Sequence, residues 1–525
     1  MPLTLSELEA LREDFLAEDV EIDIEKMQNW TIEDAEAYFE SGGEVEPKAK
    51  SDDDKPLDVI IFGPSGIVGS TCCSLLSDMA KNGSDAARRF LGNLEKPPKW
   101  GIAGRAASKE KIDKVATQYG VPSFLVSKDD PASFDAICAA TNLVVAVAGP
   151  YRQQIPRQLA AACARNKGVC YFDLTGEFTF VADCIEKHDA EAKANNSCLI
   201  HMCGPREICS AEVGTLLACA ALRQQGAAGA ASVEIVGCSG GDMKASGGTI
   251  ASRMFMHEEP ERAEDPWLLL PKVVDVSDEP ERGIDLPDEW VNDYKTVESS
   301  KVWGETIIGP ELLASGNVRM LRRVAHLLHE RDGVKDGEPA ILPPGGGTTP
   351  VLAARQTCLF READKLQAHF TLRFMLEKPE KLLKQVAAGQ LPKQGEGPSE
   401  AESRRIGYVE WAVARTTVPG GKNKSGADEK VAACKVKGPH NQGMGISCGY
   451  GGSAYCILAA AMTAREMGKI PEKRCGAGMT PGTALDLDKL QKRLERVGYV
   501  FSICAPPSTE EIQKATEEMA LLPTK

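Results

Sequence analysis

Aromatic residues make up only 6% of this 525-residue chain. No apolar run approaches the roughly 18 residues needed to span a bilayer. The opening, Met-Pro-Leu-Thr-Leu-Ser-Glu, has neither the basic-then-apolar order of a secretory signal nor the Arg/Ser-rich, acid-poor look of a transit peptide. A cytosol-like, cytoplasmic compartment is therefore expected, with the 17 cysteines as reduced thiols. No Cys-x-x-Cys spacing occurs, and the adjacent Cys72 and Cys73 suit neither a metal site nor a redox pair, so the cysteines read as small buried hydrophobes. There is no Walker sequence and no His-Glu-x-x-His, which removes the footing for a P-loop NTPase or a zinc protease. No stripe of clustered Lys/Arg is present to meet a phosphate backbone, which argues against nucleic acid as a partner.

Charge is placed unevenly. Met1–Asp54 holds about 18 acidic and 4 basic residues, roughly −14 of the chain's −15, so the remainder is near neutral. Apolar residues at Leu3, Leu5, Leu8, Leu11 and Phe15 recur at helical spacing, and Thr31 followed by Asp34 approximates a capping box. Two short helices are predicted over Met1–Gly43, followed by a polar linker over Glu44–Lys55. This acidic extension is a candidate docking segment for a protein partner.

From Leu57 the texture changes. Val59-Ile60-Ile61-Phe62 meets a glycine turn and then a helical pattern from Ile67 to about Ala80. Further strands are predicted at Trp100–Ala103, Ser123–Val126, Leu143–Val147, Cys170–Asp173 and Cys198–Met202, with helices at Lys109–Tyr119, Gln153–Asn166 and Phe180–Ala194. Continuous apolar strands alternating with helices imply an α/β, Rossmann-type doubly wound parallel sheet. After about Gly226 the runs lengthen, with strands expected at Ser232–Cys238, His369–Leu376, Ile406–Thr416 and Val431–Val436 and helices at Gly452–Met467 and Leu485–Val497. Pro/Gly-rich joints lie at Leu342–Gly347 and Gln390–Ser403, and a hairpin tip at Gly420–Gly426. The expected organisation is an extension (1–54), a Rossmann domain (55–225), an α+β substrate and dimerisation domain (226–445) and C-terminal helices (446–525).

The chemistry-bearing signal is Gly63-Pro-Ser65-Gly66-Ile67-Val68-Gly69, set between a predicted strand and a predicted helix. Gly63 would make the tight turn, Gly66 would admit a diphosphate to the backbone, and Gly69 would allow helix and strand to close up. The anion would then rest on free amides at the positive helix end, including those of Ser65, Ile67 and Val68. The second strand ends in Ala103-Gly-Arg105, where a cation suits the 2′-phosphate of NADP(H) better than the 2′-hydroxyl of NAD(H). The alternative for Arg105 is a solvated surface charge. It lies about 40 residues past Gly63 rather than the usual ~20, a surplus attributed to an insertion at Asn82–Lys99. The fourth strand ends in Ala146-Val-Ala148-Gly149-Pro150-Tyr151, and backbone there should pass the nicotinamide ribose. The fifth ends in Tyr171-Phe-Asp173-Leu-Thr-Gly-Glu177. Tyr151, Asp173 and Glu177 are the candidate catalytic or pocket residues. The alternatives are a turn cap for Asp173 and a cation partner for Glu177.

Two histidines, His326 and His329, share a predicted helix with Arg322, Arg323 and Arg331 and read as a solvated basic face rather than metal ligands. His201, at the end of the sixth strand, is either a proton donor or a satisfied structural histidine. Pro266-Trp-Leu-Leu-Leu-Pro271 reads as core or pocket wall.

Taken together, Gly63–Gly69, Ala103–Arg105, Ala148–Tyr151 and Tyr171–Glu177 resemble the saccharopine dehydrogenase-like oxidoreductases, a group related to bacterial trans-acting enoyl reductases. Similarity continues through Ser246-Gly-Gly-Thr-Ile-Ala-Ser252, Gly449-Tyr-Gly-Gly-Ser-Ala-Tyr455, Met479-Thr-Pro481 and Leu490–Phe501. The resemblance implies a nicotinamide cofactor, a mixed-sheet second domain and C-terminal helices that return to the first. It does not imply saccharopine as substrate. One segment departs: where the family reads Cys-Gly-Phe-Asp-Ser-(Ile/Val)-Pro, this chain has Cys203-Gly-Pro-Arg206-Glu207-Ile-Cys209. The expected activity is hydride transfer to or from a C=O, C=N or C=C bond of a small-molecule or lipid-like substrate, with a homodimer compatible. The alternative is an NADP(H)-binding scaffold or sensor with little turnover.

Overall fold

In a computed structural model, residues 55–81, 96–227, 229–240, 245–271, 296–300, 302–332, 352–399, 406–419, 429–439 and 448–522 are described, together with isolated positions 9, 10, 22, 35, 38, 39, 90, 290 and 402. The predicted helices of Met1–Gly43, the hairpin tip at Gly420–Gly426, the joint at Leu342–Gly347 and most of Asn82–Lys99 lie outside the described residues. Contacts divide the chain into Met1–Lys55 and Pro56–Lys525. In the first unit Ala35, Tyr38 and Phe39 are buried, and the two rings meet edge to face at 5.6 Å.

The second unit contains two seven-stranded sheets. The first begins with β1 (Val59–Phe62), helix α1 (Ile67–Ala80), β2 (Trp100–Arg105), α2 (Lys109–Tyr119), β3 (Ser123–Val126), α3 (Ala132–Ala140), β4 (Leu143–Ala146), α4 (Gln154–Arg165), β5 (Cys170–Asp173), α5 (Phe178–Ala194) and β6 (Cys198–Ile200). A π-helical run, Arg206–Gly214, leads into α6 (Thr215–Gln224). Then follow β7 (Ser232–Gly240), α7 (Gly247–Met256), α8 (Pro260–Glu264), β8 (Glu298–Ser299), β9 (Thr306–Pro310), α9 (Ala314–Asp332), β10 (Ala353–Arg361), α10 (Lys365–Leu376), α11 (Pro379–Ala387), β11 (Gly407–Arg415) and β12 (Val431–Lys437). The last elements are α12 (Tyr450–Met467), β13 (Gly476–Met479), α13 (Pro481–Ala484), α14 (Leu487–Arg496), β14 (Val500–Cys504) and α15 (Thr509–Ala520).

The first sheet runs β13-β6-β5-β4-β1-β2-β3, and every pairing is parallel. Both faces are covered. Val59 and Ile61 join the core under α1 and α12, while Ile60 and Phe62 join the core under α3 and α4. Strand order reverses between β1 and β4, the place where open α/β sheets hold ligands at their carboxyl ends. The observed α/β architecture is the expected one. Its seventh strand was not expected: β13 arrives from the far C-terminal part and pairs with β6. Gly-Ala-Gly-Met has no β-branched residue to announce a strand. The slot demands glycine instead, since a Cβ on Gly478 would lie 2.3 Å from Ile185 Cγ1 on α5.

The second sheet runs β14-β12-β11-β7-β10-β9-β8 and is mixed: β7 and β10 are parallel, the other pairings antiparallel. Two sequence expectations need correction. His369–Leu376 is not a strand but the body of α10. Only Ala368 of that helix is buried, and Leu366 and Phe370 face solvent, so no core imposed a readable period. The basic residues of α9 are not a solvated face either. Arg322, Arg323 and His326 are buried. Arg322 donates to the carbonyls of Pro266 and Trp290, and Arg323 to those of Ala477 and Gly478.

Leu269 and Leu270 are buried, and Trp267 lies beneath the Arg322 guanidinium at 4.3 Å, so the apolar Pro266–Pro271 patch is core. All cysteines are free thiols and all but Cys504 are buried. Among the described residues, no helix is long and apolar enough to cross a membrane.

Candidate functional site

The turn after β1 is shaped by its glycines. Gly63 has φ +94°, and a Cβ there would sit 2.6 Å from Ala148 Cβ. A Cβ on Gly69 would lie 2.0 Å from the Gly63 carbonyl oxygen, so α1 approaches the strand end more closely than any other residue allows. Gly66, the N-cap of α1, is different: a Cβ there would meet only the Gly63 oxygen, at 3.6 Å. That side of the turn is open. Ser65 is exposed, Ile67 and Val68 are half-buried, and α1 carries no acidic residue in its first turn. Among the described residues, nothing accepts a hydrogen bond from the amides of Ser65, Ile67, Val68 or Gly69. Four unanswered donors at a positive helix end form a cradle for an anion. A dinucleotide diphosphate fits this donor set.

Arg105 closes β2 and is exposed, with no ion-pair partner among the described residues. Register Phe62↔Ala103 brings it to the same sheet edge as the cradle. Gly104 lets α2 close behind it, since a Cβ would lie 2.4 Å from Ile112 Cδ1. On the other side of β1, Ala148 and Gly149 are half-buried and Pro150, in a cis peptide, is buried.

Tyr151, Asp173 and Glu177 come together beyond β4 and β5, but below the surface. Tyr151 is 5% exposed, and the two carboxylates are fully buried. The Tyr151 hydroxyl donates to the Ala146 carbonyl at 3.0 Å and accepts from the Leu174 amide at 3.2 Å. Burial, then the nearby Asp173, holds its proton on well above the usual phenol range. Glu177 accepts from the amides of Tyr151 (2.8 Å) and Arg152 (2.9 Å) and from the Ser252 hydroxyl (2.6 Å). Burial raises its carboxyl above the ordinary value, against the pull of those three donors. Its partners are thus amides and a hydroxyl, not a cation.

Asp173 accepts from the amides of Thr175 (3.0 Å) and Met202 (3.2 Å) and bonds His201 Nδ1 at 2.7 Å. It therefore does cap the following turn. His201 is buried between the rings of Tyr171 and Phe180, and its Nε2 has no partner among the described residues.

Several contributors were not among the sequence's candidate site residues, although Ser246, Ser252 and Tyr450 lie in segments that carry the resemblance. Ser252 ties α7 to Glu177, and Arg152 extends the tie to the Phe255 carbonyl at 3.2 Å and to Glu259. Gln394 donates to the Gly149 carbonyl at 3.1 Å. A Cβ on Gly397 would touch Ile67 Cδ1 at 2.5 Å, and Gly247 donates to the Glu396 carbonyl at 2.9 Å. The Tyr450 hydroxyl accepts from the Ser246 amide at 2.6 Å. Residues 393–397, read in sequence as a joint, thus pack against Ile67, Gly149 and the start of α7, forming a strap beside the cradle. Only the glycines at 247 and 397 signal that closeness.

The departing segment is also placed. Arg206 is buried and bonds Glu311 (2.9 Å) and Glu410, tying the π-helical run to the second sheet. Its guanidinium is committed. Glu207 beside it is 7% exposed, and burial pushes its carboxyl up to about 7. Glu212, bonded to the Thr480 hydroxyl, is pushed to about 7 for the same reason.

No family model matches the chain. A Mycobacterium tuberculosis protein provisionally named a trans-acting enoyl reductase is 28% identical over 383 residues, covering 70% of this chain and 82% of its own. A trans-acting enoyl reductase from Mycobacterium leprae is 28% identical over 160 residues, 29% of this chain and 34% of its own. Among solved structures, saccharopine dehydrogenase (L-Glu forming) from Saccharomyces cerevisiae gives a TM-score of 0.43 at 9% identity, over 86% of this chain and 100% of that one. The two mycobacterial relatives are in line with the resemblance drawn from the motifs, in which trans-acting enoyl reductases are a related group.

Proposed function

We propose that this protein is an NADP(H)-dependent oxidoreductase of the saccharopine dehydrogenase-like kind. The single observation that carries the reading is the row of amides at Ser65, Ile67, Val68 and Gly69, and the Arg105 guanidinium at the same end of the sheet, all without a partner among the described residues. When bound, the nicotinamide would supply or accept the hydride. The chain's own residues would do the rest. The cradle would hold the diphosphate, and Arg105 would meet the 2′-phosphate as a charge partner. Ala148, Gly149 and Pro150 would pass the nicotinamide ribose. Tyr151, Asp173 and Glu177 would act as positioning residues that fix the Gly149–Arg152 backbone and α7. The substrate class is a C=O, C=N or C=C compound, with a lipid-like one favoured by the apolar surroundings. Residues 226–445 would carry the substrate.

The test is calorimetric titration with NADPH and NADH, followed by NADPH consumption against a panel of enones, ketones and imines. NADPH should bind, Gly66→Asp should abolish binding with little change in melting, and at least one panel compound should be reduced. No heat with either nucleotide would sink the reading.

A second reading is an NADP(H)-binding scaffold or sensor. It is favoured by the saturation of all three sequence-derived catalytic candidates, which leaves none of them free to trade a proton with substrate. NADPH binding without turnover of any panel compound would select it.

A further inference from the structure

α10 reverses the usual order of a surface helix, which turns its large apolar side chains inward. Its 12 residues include Leu366, Phe370, Leu372, Phe374, Met375 and Leu376, yet only Ala368 is buried. α15, on the same sheet, follows the rule with Ile512, Ala515 and Met519. α10 instead sits on β9 through its smallest side chain: a Cβ on Gly309 would lie 3.2 Å from Ala368 Cβ. The outward face carries Leu366, His369, Phe370, Arg373 and Leu376, the spacing of one helical stripe, and all five are exposed. Leu366 is 82% exposed and Phe370 69%. Among the described residues eight large apolar side chains stand exposed, and four of them, Leu366, Phe370 and Leu376 with Leu383 of α11, fall on this pair of helices. Single exposed apolar residues are ordinary, whereas a cluster of them marks a contact surface.

Charge selects the occupant. From Lys365 to Lys393 the chain holds six basic residues and two acidic ones, although the whole chain carries −15. The acids just before α10, Glu362 and Asp364, are paired with Lys365 and Arg361. Glu377 is met by Lys381, while Lys378 and Lys384 are exposed with no ion-pair partner among the described residues. Apolar side chains that face outward among cations have the composition of a helix lying in a membrane interface, where rings and branched chains enter the headgroup–acyl boundary and cations meet lipid phosphates. At about 18 Å, α10 is too short for a hydrocarbon core of about 30 Å, so it would lie along a bilayer and not across it. A second copy fits less well, because twofold pairing would set Arg373 and the lysines against their own kind. We infer that α10 and α11 rest on an anionic lipid surface, with Leu366, Phe370 and Leu376 in the headgroup–acyl boundary and Arg373, Lys378 and Lys384 on lipid phosphates. The inference does not depend on the oxidoreductase reading, because its readout is vesicle binding and not turnover.

The test is flotation of the full chain with vesicles of phosphatidylcholine mixed with phosphatidylserine, and with vesicles of phosphatidylcholine alone. The chain should float with the mixed vesicles and bind the phosphatidylcholine ones about tenfold more weakly or less. Raising the ionic strength to about 1 M, where the Debye length is about 3 Å, should remove that difference. Leu366→Ser combined with Phe370→Ser should weaken binding to the mixed vesicles about tenfold or more, with an unchanged melting temperature because both side chains are exposed. Arg373→Glu combined with Lys384→Glu should abolish the preference for phosphatidylserine. A wild-type chain that floats with neither vesicle overturns the inference. So does flotation that the serine pair leaves unchanged, or equal binding to both vesicles at low salt. A sedimentation shift from dimer to monomer in the serine pair would give the face to a second copy and overturn it as well.

Discussion

The cradle after β1 and the cluster after β4 and β5 lie at the same end of one sheet and are opposites in hydrogen bonding. In the cradle, four amides and the Arg105 guanidinium have no partner among the described residues. In the cluster, every oxygen of Glu177 and Asp173 is bonded and the Tyr151 hydroxyl both donates and accepts. Unanswered polar groups at a surface wait for a ligand, whereas answered ones underground hold a shape. Residue type alone would rank the cluster higher, since carboxylates and a phenol look more like catalysis than glycines do. Satisfaction reverses that ranking.

Four experiments break or sharpen the contrast. The largest effect is expected at Gly69→Ala, whose methyl would lie 2.0 Å from a backbone oxygen that cannot step aside. A loss of about 3–5 kcal/mol is expected in denaturant unfolding, and a melting curve like wild type would show that the turn is looser than described. Next is Glu177→Ala, which strands two amides and the Ser252 hydroxyl and should cost about 3 kcal/mol. Unchanged unfolding together with lost turnover would return Glu177 to a catalytic role.

Glu207→Gln tests the pH behaviour of the departing segment. Burial raises this carboxyl from 4.5 to about 7, so the fold prefers its neutral form. The penalty is absent below about 4.5, grows as pH rises to 7, and is constant above. Relative to wild type, the glutamine variant should gain up to about 3 kcal/mol across that window, measured by chemical unfolding at fixed pH values. A flat difference would mean that Glu207 titrates as a solvated carboxylate.

The smallest effect is at Arg105→Ala. Affinity for NADPH should fall roughly tenfold, about 1.4 kcal/mol, while NADH affinity stays put. Equal losses for both nucleotides would mean the guanidinium does not read the 2′-phosphate.

Much of this was legible in the sequence. Apolar runs flanked by turns gave β1 to β6 nearly to the residue, because strands buried on both faces need continuous apolar stretches. The cradle was legible because close approach admits only glycine, and at Gly63 and Gly69 the contacts show why. What escaped were features set by distant partners. The guanidiniums of Arg322 and Arg323 reach carbonyls far away in sequence, so their spacing imitates an exposed helix face. Glu177 and a cation were a reasonable pairing to weigh, but backbone amides of the next loop carry no side-chain signature. The strap at 393–397 was written only as flexibility, in two glycines between Pro392 and Pro398.

The placement of β13 bears on how this protein is made. Its place beside β6 is filled by residues that leave the ribosome some 280 residues later, a delay of roughly 15–60 s at 5–20 residues per second. Throughout that interval the nascent first sheet carries a naked flank along Cys198–Ile200, which later receives Gly476–Met479 and the seal of Arg323 upon it. Chaperone dependence during translation should therefore concentrate on that one flank and end when β13 emerges.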